Sequence, residues 1–389
     1  METLVKLFKN NIRQYGMIIA LVFIMILFEI ITGGLLLKPI NITNLILQNS
    51  YILVLAIGMV LVIITGHIDL SVGSIAAFVG AVAAIMMVDL HWHPVVAVIA
   101  SLVVGALIGA WQGFWVAYVK IPAFIVTLAG MLLFRGLTMI VLKGQSIAPF
   151  PNGFQKISSG FIPDFGSAGT NIVAVLAGIL FTVIYIVNEL RDRRAQKKYN
   201  FEVVSGGLFI LKLVVIAAII NAFTFMLAIY AGLPNILILL LVLIIIYSFV
   251  MNKTVMGRHI YALGGNEKAA DLSGVKTKKV TFWVFVNMGV LAAISGLIFA
   301  ARLNAATPRA GTNFELDAIA ASFIGGASAT GGIGTVFGAI IGGLVMGVLN
   351  NGMSLIGLGV DWQQGIKGLV LLAAVAFDIY NKKKVTFLK

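Results

Sequence analysis

Long apolar runs recur along the whole chain, separated by short stretches rich in charge, glycine or proline. Each run is close to the ~20 residues that an α-helix needs to cross the hydrocarbon core of a bilayer. Runs fall at 17–37, 45–66, 70–88, 94–119, 122–142, 171–188, 208–230, 235–251, 280–301, 317–335, 336–357 and 363–380. The pattern predicts an all-α polytopic membrane protein of about twelve transmembrane helices in one domain over 1–389. The pair within 317–357 is the least clearly divided, because glycine interrupts it. The first run follows a basic segment but exceeds the ~7–15 residues of a signal-peptide core and lacks a small-residue cleavage site. It reads as a retained first helix.

Charge placement turns this segmentation into a topology. Of 27 Lys and Arg, 18 lie in four segments: Lys6, Lys9 and Arg13; residues 189–203; residues 252–280; and the tail with Lys382–Lys384. Cytoplasmic loops carry the Lys and Arg excess. With the amino terminus inside, the second, third and fourth basic segments follow the sixth, eighth and twelfth spans, so all four fall on one side. Both termini are then expected to be cytoplasmic. The loop 143–170, with only Lys143, Lys156 and Asp164 charged, falls outside.

Composition agrees with lipid as the solvent. Hydrophobic residues make up 60% and charged residues 11%, with a mean hydropathy of +1.07. A soluble domain carries roughly 25% charged residues. The net charge of +13 follows the loops and is not a basic patch with interleaved aromatics, which excludes nucleic-acid binding. Cysteine is absent, which removes disulfides, thiolate metal sites and Cys nucleophiles.

Four spans between 45 and 142 form one block and four between 280 and 380 another, and the topology makes them inverted, a common transporter plan. An additional helix pair lies over 171–230. Gly105, Gly109 and Gly113 recur every fourth residue, as do Gly338 with Gly342 and Gly343 with Gly347. Small residues at this spacing let helices approach closely in lipid. The denser run from Gly325 to Gly334 reads as a break, tolerable at membrane depth only where protein or water satisfies the backbone.

Catalytic signatures are missing. The chain has no phosphate-binding G-x-x-x-x-G-K-[ST] loop, no H-E-x-x-H and no G-x-S-x-G. His91 and His93 offer two ligands without a third, so no metal site is expected, and Trp92 between them suits a membrane interface. Polar groups within apolar runs cost more and say more. Asp69, Ser71 and Ser74 join two apolar runs, either as a capped turn or beside a passage. Arg135 lies within a span and needs a partner or water. Glu315 and Asp317, with Arg302 and Arg309 nearby in sequence, form either a surface ion-pair cluster or a docking surface for an external partner. Asn350 and Asn351 can hydrogen-bond between helices.

The basic loop 252–280 has more pattern than a spacer needs. Asn266 is an N-cap candidate for a short helix from Glu267 to Leu272 that Gly274 ends. Such a helix is either an ordinary amphipathic loop helix or a piece shaped for a groove on another protein.

Three stretches carry a family likeness: Gly66 to Ser74; Gly257 to Gly274, with Tyr261-Ala262-Leu263-Gly264-Gly265-Asn266; and Glu315-Leu316-Asp317-Ala318-Ile319-Ala320-Ala321 leading to Gly325-Gly326. With Leu349-Asn350-Asn351-Gly352 the likeness spans about 45–150 and 234–380. The chain resembles the permease subunits of bacterial ATP-binding-cassette (ABC) sugar importers, in the ribose, galactose and xylose branch. The resemblance implies a multi-pass protein of the bacterial cytoplasmic (inner) membrane, acting as a homodimer. Its expected partners are a cytoplasmic ABC ATPase, which holds the ATP and Mg, and a periplasmic sugar-binding protein. This chain itself would bind no cofactor and catalyse no reaction. ATPase coupling is expected at Gly257, Arg258, Tyr261, Gly264, Gly265, Asn266, Glu267, Ala269, Ala270, Ser273 and Gly274. The translocation pathway is expected at Asp69, Ser71, Ser74, Asn350 and Asn351, and binding-protein docking or the outer mouth at Arg302, Arg309, Glu315 and Asp317. The added spans 171–188 and 208–230 look like the xylose and multiple-sugar subgroup, and a monosaccharide is the expected cargo. The reading from a different class is a secondary sugar transporter driven by an ion gradient, which would not need the loop 257–274.

Overall fold

A computed structural model describes residues 12–386 except 167, 168 and 202. Lys6 and Lys9 therefore lie outside the described residues. Fifteen helices follow in order among those described: α1 (Ile12–Ile31), α2 (Pro39–Ile64), α3 (Val72–Ala84, continued by a π-helical turn to Asp89), α4 (Pro94–Ala117), α5 (Ala123–Val141), α6 (Asn152–Ser159), α7 (Ile172–Lys198), α8 (Gly206–Tyr230), α9 (Asn235–Lys253), α10 (Val255–Gly265), α11 (Glu267–Leu272), α12 (Thr277–Leu303), α13 (Phe314–Ile324), α14 (Val336–Leu355) and α15 (Val360–Thr386). Proline punctuates them. Pro39 and Pro94 occupy first-turn positions, and Pro122 and Pro234 stand immediately before helices. A ring that fixes φ and lacks an N–H is suited to such positions.

Among the described residues, nine helices are long and apolar enough to cross a membrane: α2, α3 with its π turn, α4, α5, α7, α8, α9, α12 and α14. The predicted span 317–335 differs. Its helix, α13, has 11 residues, about 17 Å at ~1.5 Å per residue, which is short of the ~30 Å core. A glycine loop follows, in which Gly326, Gly331 and Gly332 have φ of 81°, 78° and 73°. α1 reaches only Ile31, against a predicted run to 37. Short α6, in the loop between α5 and α7, was not predicted.

The centre is built on α2 and α12, which pack against each other. α12 also crosses α3 and α4, while α2 crosses α13 and α14. The α4–α12 crossing uses the glycine stripe read from the sequence. A Cβ on Gly105 would lie 2.6 Å from Gly289 O, and one on Gly109 2.4 Å from Phe285 O. On the other side, a Cβ on Gly342 would lie 1.9 Å from Ala321 O. Backbone-to-backbone approach of this kind maximises dispersion contact where lipid removes the usual hydrophobic drive. α7 and α8 pack chiefly on each other, with α8 also touching α2. Their apolar stretches are only 11% and 6% buried.

Candidate functional site

α2 ends at Ile64, and Gly66 reverses the chain with φ 80°. The segment His67–Leu70 then leads back alongside the bundle. Asp69, 1% exposed, accepts the Ser71 amide at 2.8 Å and the Ser71 hydroxyl at 2.5 Å. Its carboxylate thus ties the turn ahead of α3 and sits at that helix's positive end. Gln112, from α4, donates Nε2 to Ser71 Oγ at 2.7 Å. α3 starts part-way along α12: Ala76 O faces Gly296, where a Cβ would come within 2.1 Å.

α13 likewise begins part-way along a central helix. Its first residue, Phe314, stacks on Tyr51 with ring centroids 4.0 Å apart, and Tyr51 lies midway along α2. The loop that feeds it is pinned by Arg135 of α5, which donates to Ala310 O at 2.8 Å, Thr312 Oγ1 at 3.2 Å and Gly311 O at 3.4 Å. This answers the need for a partner seen in the sequence. The heads of α3 and α13 meet backbone to backbone. A Cβ on Gly73 would lie 2.2 Å from Gly311 O and 2.4 Å from Glu315 Oε2.

Acidic groups therefore gather where two helix N-termini converge. Glu315 and Asp317 stand in the first turn of α13 and are 7% and 3% exposed. This burial corrects the reading of a surface ion-pair cluster and sets both apart from Arg309, which is exposed. Arg302 is half-buried near the end of α12. The cation on Asp317 is Lys367 of α15, whose Nζ lies 3.0 Å from Oδ1 and 3.2 Å from Oδ2. Asn350 stands beside Asp317. Asn351 points elsewhere, exchanging hydrogen bonds of 2.8 and 3.0 Å with Asn41 to join α14 to α2. Ser74 Oγ, Gln112 Oε1 and Glu315 Oε2 are buried without a hydrogen-bond partner among the described residues.

The helix predicted in the basic loop is present as α11. Asn266 Oδ1 accepts the Ala269 amide at 3.0 Å, Ser273 Oγ donates to Ala269 O at 2.8 Å, and Gly274 turns with φ 84°. Ala270 is buried, whereas Leu272 is 90% exposed. α10 anchors this element. Tyr261 Oη donates to Gly334 O at 2.8 Å, and Gly332 N donates to Ile64 O at 2.8 Å. Gly264 is pressed against that same carbonyl, where a Cβ would lie only 1.6 Å away. Gly265 lies against Gly332, and Gly257 fits against Met251 O. Arg258 and Ala269 are exposed. Glu267 pairs with Lys120 at 2.7 Å, ahead of α5. A cavity of about 360 Å³ opens beside this pair and is lined in part by His67, Lys120, Pro122 and Glu267. Burial pulls the His67 imidazole below its ordinary value, which keeps it neutral at pH 7.

Sequence reasoning missed Gln112, Lys120, Lys367 and Leu272. Gln112 and Lys367 had a signal, a long polar or charged side chain in an apolar run, but their partners lie 41 and 50 residues away. Among the described residues no group of three or more His, Asp or Glu is placed to hold a metal.

The family of branched-chain amino acid transport system / permease components matches residues 41–375. The xylose transport system permease protein XylH of Haemophilus influenzae is 42% identical over 382 residues, covering 98% of this chain and 100% of the relative. Its counterpart in Escherichia coli is 39% identical over 374 residues, 96% of this chain and 93% of the relative. The ribose import permease protein RbsC of Escherichia coli is 36% identical over 346 residues, covering 88% and 86%. No solved structure matches the chain. A bundle of apolar helices in which the N-termini of α3 and the short α13 meet, matched over nearly its whole length, is a transmembrane permease, and the chain belongs to the branched-chain amino acid transport system permease family.

Proposed function

We propose that this chain is the membrane subunit of an ATP-driven importer of monosaccharides, of the xylose or multiple-sugar type, and that it forms the passage by alternating access. The relatives named for xylose transport and ribose import support the cargo class. One observation carries the mechanism. The α10–α11 element is fastened to both returning segments at once, through Gly264 against Ile64 O and through Tyr261 on Gly334 O, and Gly332 N on Ile64 O ties those two segments to each other. A push on α11 is thereby delivered to the loops beside α3 and α13 together.

In this reading α2–α5 and α12–α15 are inverted repeats. The reciprocal crossing of α12 over α3 and α4, and of α2 over α13 and α14, supports that symmetry. α11 is the coupling helix, with Asn266, Glu267, Ala269 and Ser273 at the surface that a cytoplasmic ATPase carrying ATP and Mg would engage and Ala270 packed beneath it. Two copies of the chain form the passage, both termini face the cytoplasm, and Asp69, Ser71, Ser74, Asn350 and Asn351 lie on or beside the route. A periplasmic binding protein delivers the sugar near Arg302 and Arg309. The chain performs no covalent chemistry. The alternative is a secondary sugar transporter driven by an ion gradient. It has no use for an exposed, capped helix ending on Leu272 at 90% exposure. Co-purification with the cognate ATPase, and a crosslink from Leu272→Cys to it, test the reading. A chain that transports sugar with no ATPase bound would overturn it.

A further inference from the structure

We propose that the polar end of the α7–α8 pair is a docking surface for the phosphate headgroups of anionic phospholipids. The apolar part of α7, Ile172 to Asn188, runs about 25 Å at ~1.5 Å per residue, and its side chains at Ile172, Leu176, Ile179, Leu180 and Val183 are exposed. The helix does not stop there. It continues unbroken to Lys198 and so carries Arg191, Arg193, Arg194, Lys197 and Lys198 through the depth of the headgroup layer, which lies just beyond the hydrocarbon.

The cations are not spread evenly around the helix. At ~100° per residue, Arg191, Arg194, Lys197 and Lys198 fall within an arc of about 120°. All four are exposed. The side next to that arc faces α8. There Arg193 lies 4.1 Å over the Phe209 ring and donates to Val204 O at 3.1 Å, and Glu189 pairs with Lys212 at 2.7 Å. Only Asp192, on a different side, offsets the four outward-facing cations along Arg191–Lys198. Exposed Tyr199 and Phe201 follow, aromatic groups of the kind that settle at a membrane interface.

The occupant follows from continuity and charge. The arc sits directly above helix surface that is almost wholly exposed and that lipid must cover, so the nearest molecules to these cations are lipid headgroups. Clusters of four or more Lys or Arg at the end of a spanning helix hold anionic lipids through many weak contacts. Orientation of helices during insertion needs only the number of cations on one side. It does not need them on a continuous helix or in one arc. The added pair, which touches the rest of the bundle mainly through α8 on α2, becomes a lipid-facing flank of the transporter.

The test is native mass spectrometry of the full-length protein released from membranes of mixed phosphatidylcholine and phosphatidylglycerol. The wild type should retain phosphatidylglycerol in preference to phosphatidylcholine, and the preference should fall in high salt. The variant Arg191→Gln/Arg194→Gln/Lys197→Gln/Lys198→Gln should lose that preference by roughly tenfold or more. The charge-matched variant Lys253→Gln/Lys276→Gln/Lys278→Gln/Lys279→Gln should keep it. Equal loss in both variants, or no loss in the first, overturns the proposal. So does displacement of the lipid by millimolar glycerol phosphate, which would mark a site for free phosphate. If the fourfold variant is not recovered folded, Arg194→Gln and Lys198→Gln singly carry the same comparison.

Discussion

Gly73 and Gly311 touch through their backbones: a Cβ built on Gly311 would lie 1.9 Å from Gly73 O. Gly311 also has φ 69°, a region that a side chain rarely adopts. This contact holds the heads of α3 and α13 together and sets where Asp69, Glu315 and Asp317 can be.

Alanine at Gly73 or Gly311 should therefore force the two helix heads apart. Overpacking of this sort costs about 1–3 kcal/mol, and the positive φ adds to it at Gly311. Thermal unfolding in detergent should show a clear fall in midpoint for both. At Gly136 an added methyl group would meet nothing within 4 Å, so alanine there should be accepted without loss.

Asp69 separates a turn-forming role from a charge role. Asn in its place keeps an oxygen for the Ser71 amide and hydroxyl, so Asp69→Asn should retain stability, while Asp69→Ala should lose about 1–3 kcal/mol. If the carboxylate also serves the passage, Asp69→Asn will reduce uptake at normal expression. An unchanged rate would leave it the turn alone.

The Lys367–Asp317 pair joins α15 to the first turn of α13. Removing one partner of a buried pair leaves an uncompensated charge and costs about 3–5 kcal/mol, whereas removing both often costs little. Lys367→Met should thus be unstable, and Lys367→Met/Asp317→Asn should recover much of the loss in the same melting assay.

Lys120 and Glu267 make the opposite case. Their side chains are 50% and 53% exposed, and solvent-screened pairs contribute roughly 0–1 kcal/mol. Glu267→Gln should leave stability nearly unchanged. Ala270 is buried, so Ala270→Pro should abolish uptake and ATPase association while membrane insertion persists.

The sequence could be read where one helix decides the outcome alone. Apolar run length located the nine long helices, and Asn266 with Gly274 marked both ends of α11. The glycine spacing of Gly105, Gly109 and Gly113 foretold a close helix crossing, although it could not say that α12 supplies the other face. What stayed hidden needed two distant segments at once. Hydropathy averaged α13 and the glycine loop after it into one apparent span. Nothing local distinguishes Lys367 as the partner of Asp317 from Arg302 or Arg309, which are closer in sequence. Arg135 was visible as a charge in a span, but two of its three acceptors are the Ala310 and Gly311 carbonyls, 175 and 176 residues away, and carbonyls leave no mark in a sequence.

The most direct test of the permease reading is sugar uptake into proteoliposomes containing this chain, with and without its cognate ATPase and binding protein. The monosaccharide that the binding protein carries should accumulate only when all three proteins and ATP are present, and a proton or sodium gradient should neither drive nor enhance uptake. Accumulation by this chain alone under an ion gradient would contradict the account.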